Sequence, residues 1–340
     1  MTRAAAATLL AALLGTAGGA LAADIPGRVL KPVVAAPVPS AACKETSALA
    51  VDVFGFTTGS DVNDLGSLSG AIQYNGTYGG RFGRVAGHNV FAQLSYSPLR
   101  CLEIGPTIQA GSLRSGSTTF GLDFRQYGGT VEVKYKLLGR ATHGVGLTIT
   151  AEPGIFDRSY STFQNAGGFP VFADVNGLPL RPSGTVITNL TRVLLDFELV
   201  KDRVYGAINL EHFAGWDDPV TPDTVFGSRD YFKTSLLAFR AALAFKLSDT
   251  FFLGVEGSHQ RSYLGTFANR ELGNAWFAGP TFWWQATEKL AITGAYNYQF
   301  SGQSEVLGRP AALAAGIRTG GSDLFNFNRH LAKLKLNYSF

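Results

Sequence analysis

Charged side chains occur at alternate positions along several segments of this chain. Glu132, Lys134 and Lys136 follow this spacing, and so do Lys333 and Lys335 near the C-terminus. Side chains two residues apart point to the same face of a β-strand. A face that carries both acidic and basic groups is suited to filtering small polar solutes by charge.

Extending this parity to the other alternating segments selects the charged side chains that would face the inside of a closed sheet. The residues predicted to line the lumen, with a role in selectivity, are Glu132, Lys134, Glu152, Arg192, Asp196, Glu211, Arg240, Lys246, Glu256, Lys333 and Lys335. Asp52, Glu103, Lys136 and Glu198 have the same parity. Two interpretations stay open: the charges line a polar pore, or they pair with one another and plug a narrow barrel.

Cys43 and Cys101 are the only cysteines of the chain. Two cysteines in a secreted protein are candidates for one disulfide, because the bacterial periplasm is oxidising. Cys43 precedes the first predicted strand and Cys101 follows the first predicted short turn, so both are expected at the same rim of the sheet. The sequence therefore predicts a structural Cys43–Cys101 disulfide, and two cysteines are too few for a zinc framework.

The five histidines show no recognisable catalytic arrangement. They are His88, His143, His212, His259 and His330. Nucleophilic catalysis needs a nucleophile, a base and a group that orients the base, and none of these histidines stands beside a serine in a nucleophile motif. The sequence therefore predicts no catalytic residue, no metal and no cofactor.

The elements that must position the charged residues are β-strands. In Leu290–Ser301 the even positions are apolar or aromatic apart from one glycine, whereas the odd positions are small or polar. Leu237–Leu247 and the C-terminal Ala332–Phe340 alternate in the same way. Strict alternation over segments of this length is typical of strands with one apolar and one polar face.

The alternating segments predict twelve antiparallel strands. The remaining nine are Leu49–Gly55, Val90–Tyr96, Leu102–Ala110, Val131–Leu137, Val145–Ala151, Val193–Leu199, Val204–Leu210, Phe251–Gly257 and Trp276–Trp284. Leu68–Phe82 is ambiguous, and we assign it to the first external loop or to a strand extension; reading it as a full hairpin gives fourteen strands. The predicted connections are alternately short and long, which is typical of transmembrane up-and-down β-barrels.

A soluble β-sandwich also alternates, but strand length and aromatic placement favour the membrane barrel. Crossing a bilayer at barrel tilt needs about 9 to 11 residues per strand, and strands in soluble domains average about 5 to 6. Aromatic residues gather near the predicted strand ends, as in two interfacial girdles. They are Tyr96, Tyr135, Phe251, Trp283, Trp284, Tyr296, Tyr298, Phe300 and Tyr338.

The predicted domain organisation has three parts. Residues 1–23 have the order of a secretory signal peptide, with Arg3, an apolar stretch and a small-residue end. Residues 24–47 are rich in Pro and Ala and predict an extended periplasmic tether. Residues 48–340 form the predicted barrel. The net charge of +4 is spread without runs of Lys or Arg, so nucleic acid is not an expected partner.

The last strand, Leu331 to Phe340, resembles the C-terminal sorting signal of outer-membrane barrels, with Tyr338 and Phe340 as its aromatic positions. The start of the mature chain, residues 22–28, is similar to that of alphaproteobacterial porin-like barrel proteins. The resemblance implies insertion by the barrel-assembly machinery into the outer membrane of a Gram-negative bacterium. Outer-membrane lipid and lipopolysaccharide are then the expected surroundings.

Three functional classes follow from this sequence. The first is a porin-like passive channel for small polar solutes. The second is a structural envelope or adhesion barrel whose lumen is plugged by charge. An outer-membrane enzyme acting on lipid is the least favoured class, and the chain is predicted not to be an enzyme.

Overall fold

A computed structural model describes residues 53–80, 83–116, 120–164, 183–217, 232–304, 322 and 327–340. Twelve strands and one short helix make up the regular structure of these residues. The strands are β1 (Leu68–Gly80), β2 (Gly83–Leu99), β3 (Leu102–Gly116), β4 (Phe120–Leu138), β5 (Val145–Gln164), β6 (Ser183–Val200), β7 (Val204–Asp217), β8 (Phe232–Ser248), β9 (Phe251–Leu264), β10 (Arg270–Gln285), β11 (Leu290–Ser304) and β12 (His330–Ser339). The helix α1 is Arg140–His143.

The twelve strands form one closed antiparallel barrel in which each strand pairs with its neighbours in sequence. Closure is made by β1 and β12, whose register runs from Ser69 opposite Ser339 to Tyr78 opposite His330. A closed sheet leaves no strand edge with unpaired backbone groups. This is what a strand protein needs in hydrocarbon, where lipid offers no hydrogen bonds.

The two faces of the barrel differ as the alternation predicts. On β3, for example, the side chain of Ile108 is 71% exposed and its neighbour Thr107 is 8% exposed. Outward-facing apolar side chains are exposed all round the barrel, including Ile72, Val90, Leu94, Val131, Ile149, Ile155, Val193, Leu210, Leu243, Leu253, Val255, Leu334 and Leu336. An apolar surface that surrounds the protein in this way is expected to contact lipid rather than water.

Twelve is also the number of strands that the alternation predicts, but the first strand is a different one. The prediction of a strand at Leu49–Gly55 is wrong for residues 53–55, which lie outside any strand; residues 49–52 are outside the described part of the chain. The segment assigned to an external loop instead supplies β1, Leu68–Gly80. Its alternation is genuine, with Ile72 and Tyr74 on the outer face, but glycines interrupt it.

At one end of the barrel every connection has only two to six residues, and we call it the turn end. These connections are residues 100–101, 139–144, 201–203, 249–250 and 286–289. Helix α1 lies in the second of them and is closed by Gly144, which has a φ of 75°, a conformation open to glycine at little cost. Within the described residues, no helix is long and apolar enough to cross a membrane.

The aromatic residues near strand ends do not all belong to girdles. Tyr96, Tyr135, Trp284 and Tyr338 are exposed on the outer face toward the turn end, as a girdle requires. Trp283 is only 2% exposed. Its placement in a girdle is wrong, because consecutive residues of a strand point to opposite faces and Trp283 therefore points into the lumen.

Candidate functional site

The charged residues selected by parity lie on the inner wall of the barrel. Those that border a cavity of about 470 Å³ in the lumen are Glu132, Lys134, Glu152, Arg192, Glu211, Arg240, Lys333 and Lys335. Asp196 and Glu256 are buried and bind backbone N–H groups of a chain segment inside the barrel. Lys246 lies near the turn end and pairs with Asp249 at 2.7 Å. A role of these residues in selectivity stays a prediction, and Asp52 lies outside the described residues.

The wall charges form ion pairs between strands. Arg192 on β6 reaches Glu152 on β5 at 2.9 Å and Glu132 on β4. Lys134 lies 3.1 Å from Glu103 and 3.7 Å from Glu132. A buried ion of such a network is costly to leave unpaired, at about 3 to 5 kcal/mol when its partner is removed. The network therefore holds the charges of both signs in fixed positions.

Residues 53–67, which we call the plug, cross the lumen close to the turn end. The plug begins in an apolar cluster, where Val53 and Phe54 are almost completely buried with Tyr205, Phe252 and Trp283. The ring of Phe252 lies edge-on to Trp283 at 5.4 Å. Full burial of a side chain such as Phe contributes about 1.5 to 3 kcal/mol, so this cluster is an apolar anchor for the start of the plug.

Glu256 on β9 binds the plug by its backbone. The carboxylate accepts hydrogen bonds from the Phe56 N–H, at 3.0 and 2.8 Å to its two oxygens, and from the Thr57 N–H at 3.0 Å. On the other side, Lys333 donates to the Gly55 carbonyl at 2.6 Å. The backbone therefore lies between a carboxylate and an ammonium of the wall, which are the strong kinds of hydrogen-bond partner.

Gly55 permits this close approach. A Cβ atom at Gly55 would lie 2.5 Å from the Ala295 Cβ, 2.5 Å from Glu256 Oε1 and 2.7 Å from Thr281 Oγ1. Such distances are far inside van der Waals contact. Any other residue at this position would push the plug away from the wall.

The middle of the plug is bound by polar side chains of β5, β6 and β7. With its amide nitrogen turned toward the plug, Asn209 donates to the Thr58 carbonyl at 2.9 Å and accepts from the Thr58 N–H at 2.7 Å. Asp196 accepts from the Ser60 N–H at 2.5 Å, and Thr148 donates to the Ser60 carbonyl. These wall groups take the place of a neighbouring strand for the plug backbone, whose polar groups need partners when buried.

A buried charge cluster fixes the next residue of the plug. The Asp61 carboxylate pairs with Lys136 on β4 and with Arg140 on α1, and Arg140 also pairs with Asp196. Burial favours the neutral form of Arg140, but the carboxylates of Asp61 and Asp196 outweigh it and raise the pKa of Arg140 above its ordinary value. The guanidinium therefore stays charged and ties the plug to the turn end.

The plug then leaves the lumen and continues into β1. The Asn63 N–H donates to Glu103 at 2.7 Å, and the Asn63 amide donates to Ser69 at 2.8 Å. The Gly66 N–H donates to the Ser97 carbonyl on β2 at 2.8 Å. Between Val53 and Gly66 the plug thus contacts strands on all sides of the barrel, and it fills the lumen close to the turn end.

Parity placed the wall residues correctly but gave no sign of what Glu256, Asp196 and Glu103 bind. Their partners are backbone N–H groups, which leave no trace in the sequence. One usable signal exists: Val53-Phe54-Gly55-Phe56 has apolar side chains at adjacent positions, which a strand between lipid and a polar lumen does not favour.

The remaining predicted residues lie at the ends of the barrel. Cys101 is in the turn between β2 and β3, with a φ of 65°; Cys43 is outside the described residues, so the disulfide stays a prediction. At the C-terminus, the rings of Tyr338 and Phe340 lie 5.1 Å apart. The Phe340 N–H donates to the Leu68 carbonyl of β1 at 3.3 Å. A role of these two rings in sorting is not tested by this geometry.

The histidines lie outside the lumen network. His88 hydrogen-bonds the Tyr74 hydroxyl at 2.7 Å, and His330 hydrogen-bonds the Tyr296 hydroxyl at 2.6 Å. His259 stacks on Trp276 with ring centroids 4.2 Å apart. These rings stand on the outer face, where aromatic and histidine rings suit the boundary between lipid and water.

The closed barrel with an apolar outside and a polar inside has the fold of outer-membrane β-barrels. Residues 191–340 match the model of a family described as a family of unknown function (DUF6662). No curated protein matches this chain.

Solved structures with a similar fold include the β domain of the Bordetella autotransporter BrkA. That domain is 11% identical over 82% of this chain and 100% of its own length, with a TM-score of 0.54. The translocator domain of the autotransporter NalP from Neisseria meningitidis is 13% identical over 83% of this chain and 91% of its own length, with a TM-score of 0.48. An outer-membrane channel from Pseudomonas putida F1 is 11% identical over 83% of this chain and 98% of its own length, with a TM-score of 0.48. At these identities the likeness concerns the fold.

Proposed function

We propose that this protein is an outer-membrane channel for small polar solutes whose periplasmic mouth is closed by the plug. The observation that carries the proposal is the cavity of about 470 Å³ in the lumen, which is lined by charged and polar residues of the barrel wall and by the plug. Short turns of outer-membrane barrels face the periplasm, so the turn end is assigned to that side. Solutes that reach the cavity then meet residues 53–64 before the periplasm.

The plug is attached in a manner that permits movement. Over residues 53–64, its contacts with the wall are hydrogen bonds and ion pairs to wall side chains, together with the apolar anchor at Val53 and Phe54. It pairs with no strand over residues 53–64. Shifting it therefore leaves every strand pair of the barrel intact, and passage requires only local unfolding of this segment.

Recording single channels of the full-length protein in planar bilayers tests this proposal. We expect small stepwise currents with a low open probability, because the seated plug blocks the lumen most of the time. The polar cavity alone would also fit a second function, a structural envelope barrel with a filled lumen. Complete absence of current, both in the native protein and in a variant with a displaced plug, would reject the channel and favour that second function.

A further inference from the structure

The cavity above the plug contains charged groups of both signs. Its carboxylates all have hydrogen-bond partners, whereas some of its cationic groups have none in the ranges that the structure covers. Among the residues that the structure describes, five cationic side chains border the cavity: Lys134, Arg192, Arg240, Lys333 and Lys335. A solute binds most readily to a charged group that has no partner within the protein. The type of that group, donor or acceptor, therefore indicates the chemistry of the solute.

Every carboxylate that borders the cavity is already bound. Glu103 accepts from Lys134 and from the Asn63 backbone. Arg192 donates to both Glu132 and Glu152. Those acceptors are therefore occupied.

The two remaining carboxylates of the cavity are occupied as well. Glu211 accepts from Arg240 Nε at 2.9 Å. Asp61 is paired with Lys136 and Arg140. A cationic solute would thus have to compete with bonds that the protein already makes.

Two cationic side chains of the cavity have hydrogen-bond donors without a partner in the described part of the chain. Lys335 on β12 borders the cavity and makes no hydrogen bond or salt bridge within the described part of the chain. The Nη1 atom of Arg240 is buried and has no hydrogen-bond partner there, although Nε of the same group binds Glu211. An anionic acceptor makes the strongest hydrogen bonds with such cationic donors, and a buried donor gains most from acquiring a partner.

We infer that the cavity binds a small organic carboxylate, held by the Lys335 ammonium. Lys335 stands opposite Gln73 on β1, which also borders the cavity, so a bound carboxylate has a neutral polar neighbour as a further partner. A volume of about 470 Å³ is within the range of small-molecule sites. This inference rests on the proposed function and names its substrate class.

Isothermal titration of the full-length protein in detergent at low salt tests this site. Succinate is the probe, and succinamide is its neutral counterpart of similar shape. We expect succinate to bind and succinamide to bind at least about tenfold more weakly. We also expect Lys335→Gln to lower the succinate affinity about tenfold, the effect of one charge-assisted hydrogen bond.

Lys289→Gln is the matched control, because Lys289 is exposed in the turn between β10 and β11 and does not border the cavity; the succinate affinity of this variant should equal that of the native protein. Heat-modifiable migration on gels verifies that each variant is a folded barrel. Equal affinity for succinate and succinamide, absence of succinate binding, or an unchanged affinity in Lys335→Gln would overturn the site.

Channel recordings separate this inference from the proposed function. Stepwise currents together with no succinate binding in the titration would remove the carboxylate site and leave the channel. Succinate binding that depends on Lys335, together with complete absence of current, would remove the channel and leave the site.

Discussion

Replacing Gly55 by alanine should displace the plug and open the channel. The added Cβ would lie 2.5 Å from both the Ala295 Cβ and Glu256 Oε1, so the backbone has to move off the wall. This movement breaks the hydrogen bonds of the Phe56 and Thr57 N–H groups to Glu256. Hydrogen bonds to a charged group contribute about 1.5 to 3 kcal/mol each. The closed state should therefore lose about 3 kcal/mol or more of its stability relative to the open state.

At about 1.4 kcal/mol per factor of ten, the ratio of open to closed channels should rise about a hundredfold. The assay is the open probability of single channels in planar bilayers. Gly257→Ala is the matched control, because Gly257 is on β9 next to Glu256 and its added Cβ would meet only the Phe277 carbonyl oxygen, at 3.4 Å. If Gly55→Ala forms a folded barrel whose open probability equals that of the control, the plug does not close this channel.

Four further outcomes are expected. Glu256→Gln keeps the shape but loses the charge, so the open probability should rise by about tenfold, less than for Gly55→Ala, in the same recordings. Phe54→Ala removes the apolar anchor at a cost of about 3 to 5 kcal/mol, and limited proteolysis should then cut within residues 53–67 faster than in the native protein. Arg192→Gln leaves two wall carboxylates without their cation, so the reversal potential in a salt gradient should move toward cation selectivity and the unfolding temperature should fall. Peptide mapping without reductant should recover Cys43 linked to Cys101; recovery of both as free thiols would reject the disulfide.

The barrel wall was predictable from the sequence because the bilayer imposes a strict rule on each strand. Alternation with period two placed Glu132, Arg192 and Arg240 on the inner wall, and the structure has them there. The same rule identifies the error at Trp283 and Trp284, since two adjacent residues cannot both stand in an outer girdle.

The plug was not predictable by this rule. Residues 53–55 alternate too briefly to be tested, and Leu68–Gly80 has glycines at 70, 76, 79 and 80 that weaken its pattern. Exchanging one segment for the other preserved the count of twelve, because an even number is required for both ends of the barrel to lie on one side.

The contacts that seat the plug are also hidden from sequence reasoning. Glu256 and Asp196 bind backbone N–H groups about 200 and 136 residues away in the chain. No residue type identifies such a partner in the sequence. The sequence is therefore equally consistent with carboxylates that filter solutes. Only the three-dimensional structure distinguishes a carboxylate that holds the plug from one that faces the cavity.

Hydrogen exchange over residues 53–67 tests the central claim, that this segment is held inside the barrel. The measurement uses the folded full-length protein in detergent or in a bilayer, with the exposed turn at residues 249–250 as an internal reference. We predict that the N–H groups of Phe56, Thr57, Ser60 and Asn63, which donate to wall carboxylates, exchange far more slowly than those of the turn. Exchange of these amides as fast as in an unstructured peptide would contradict the account.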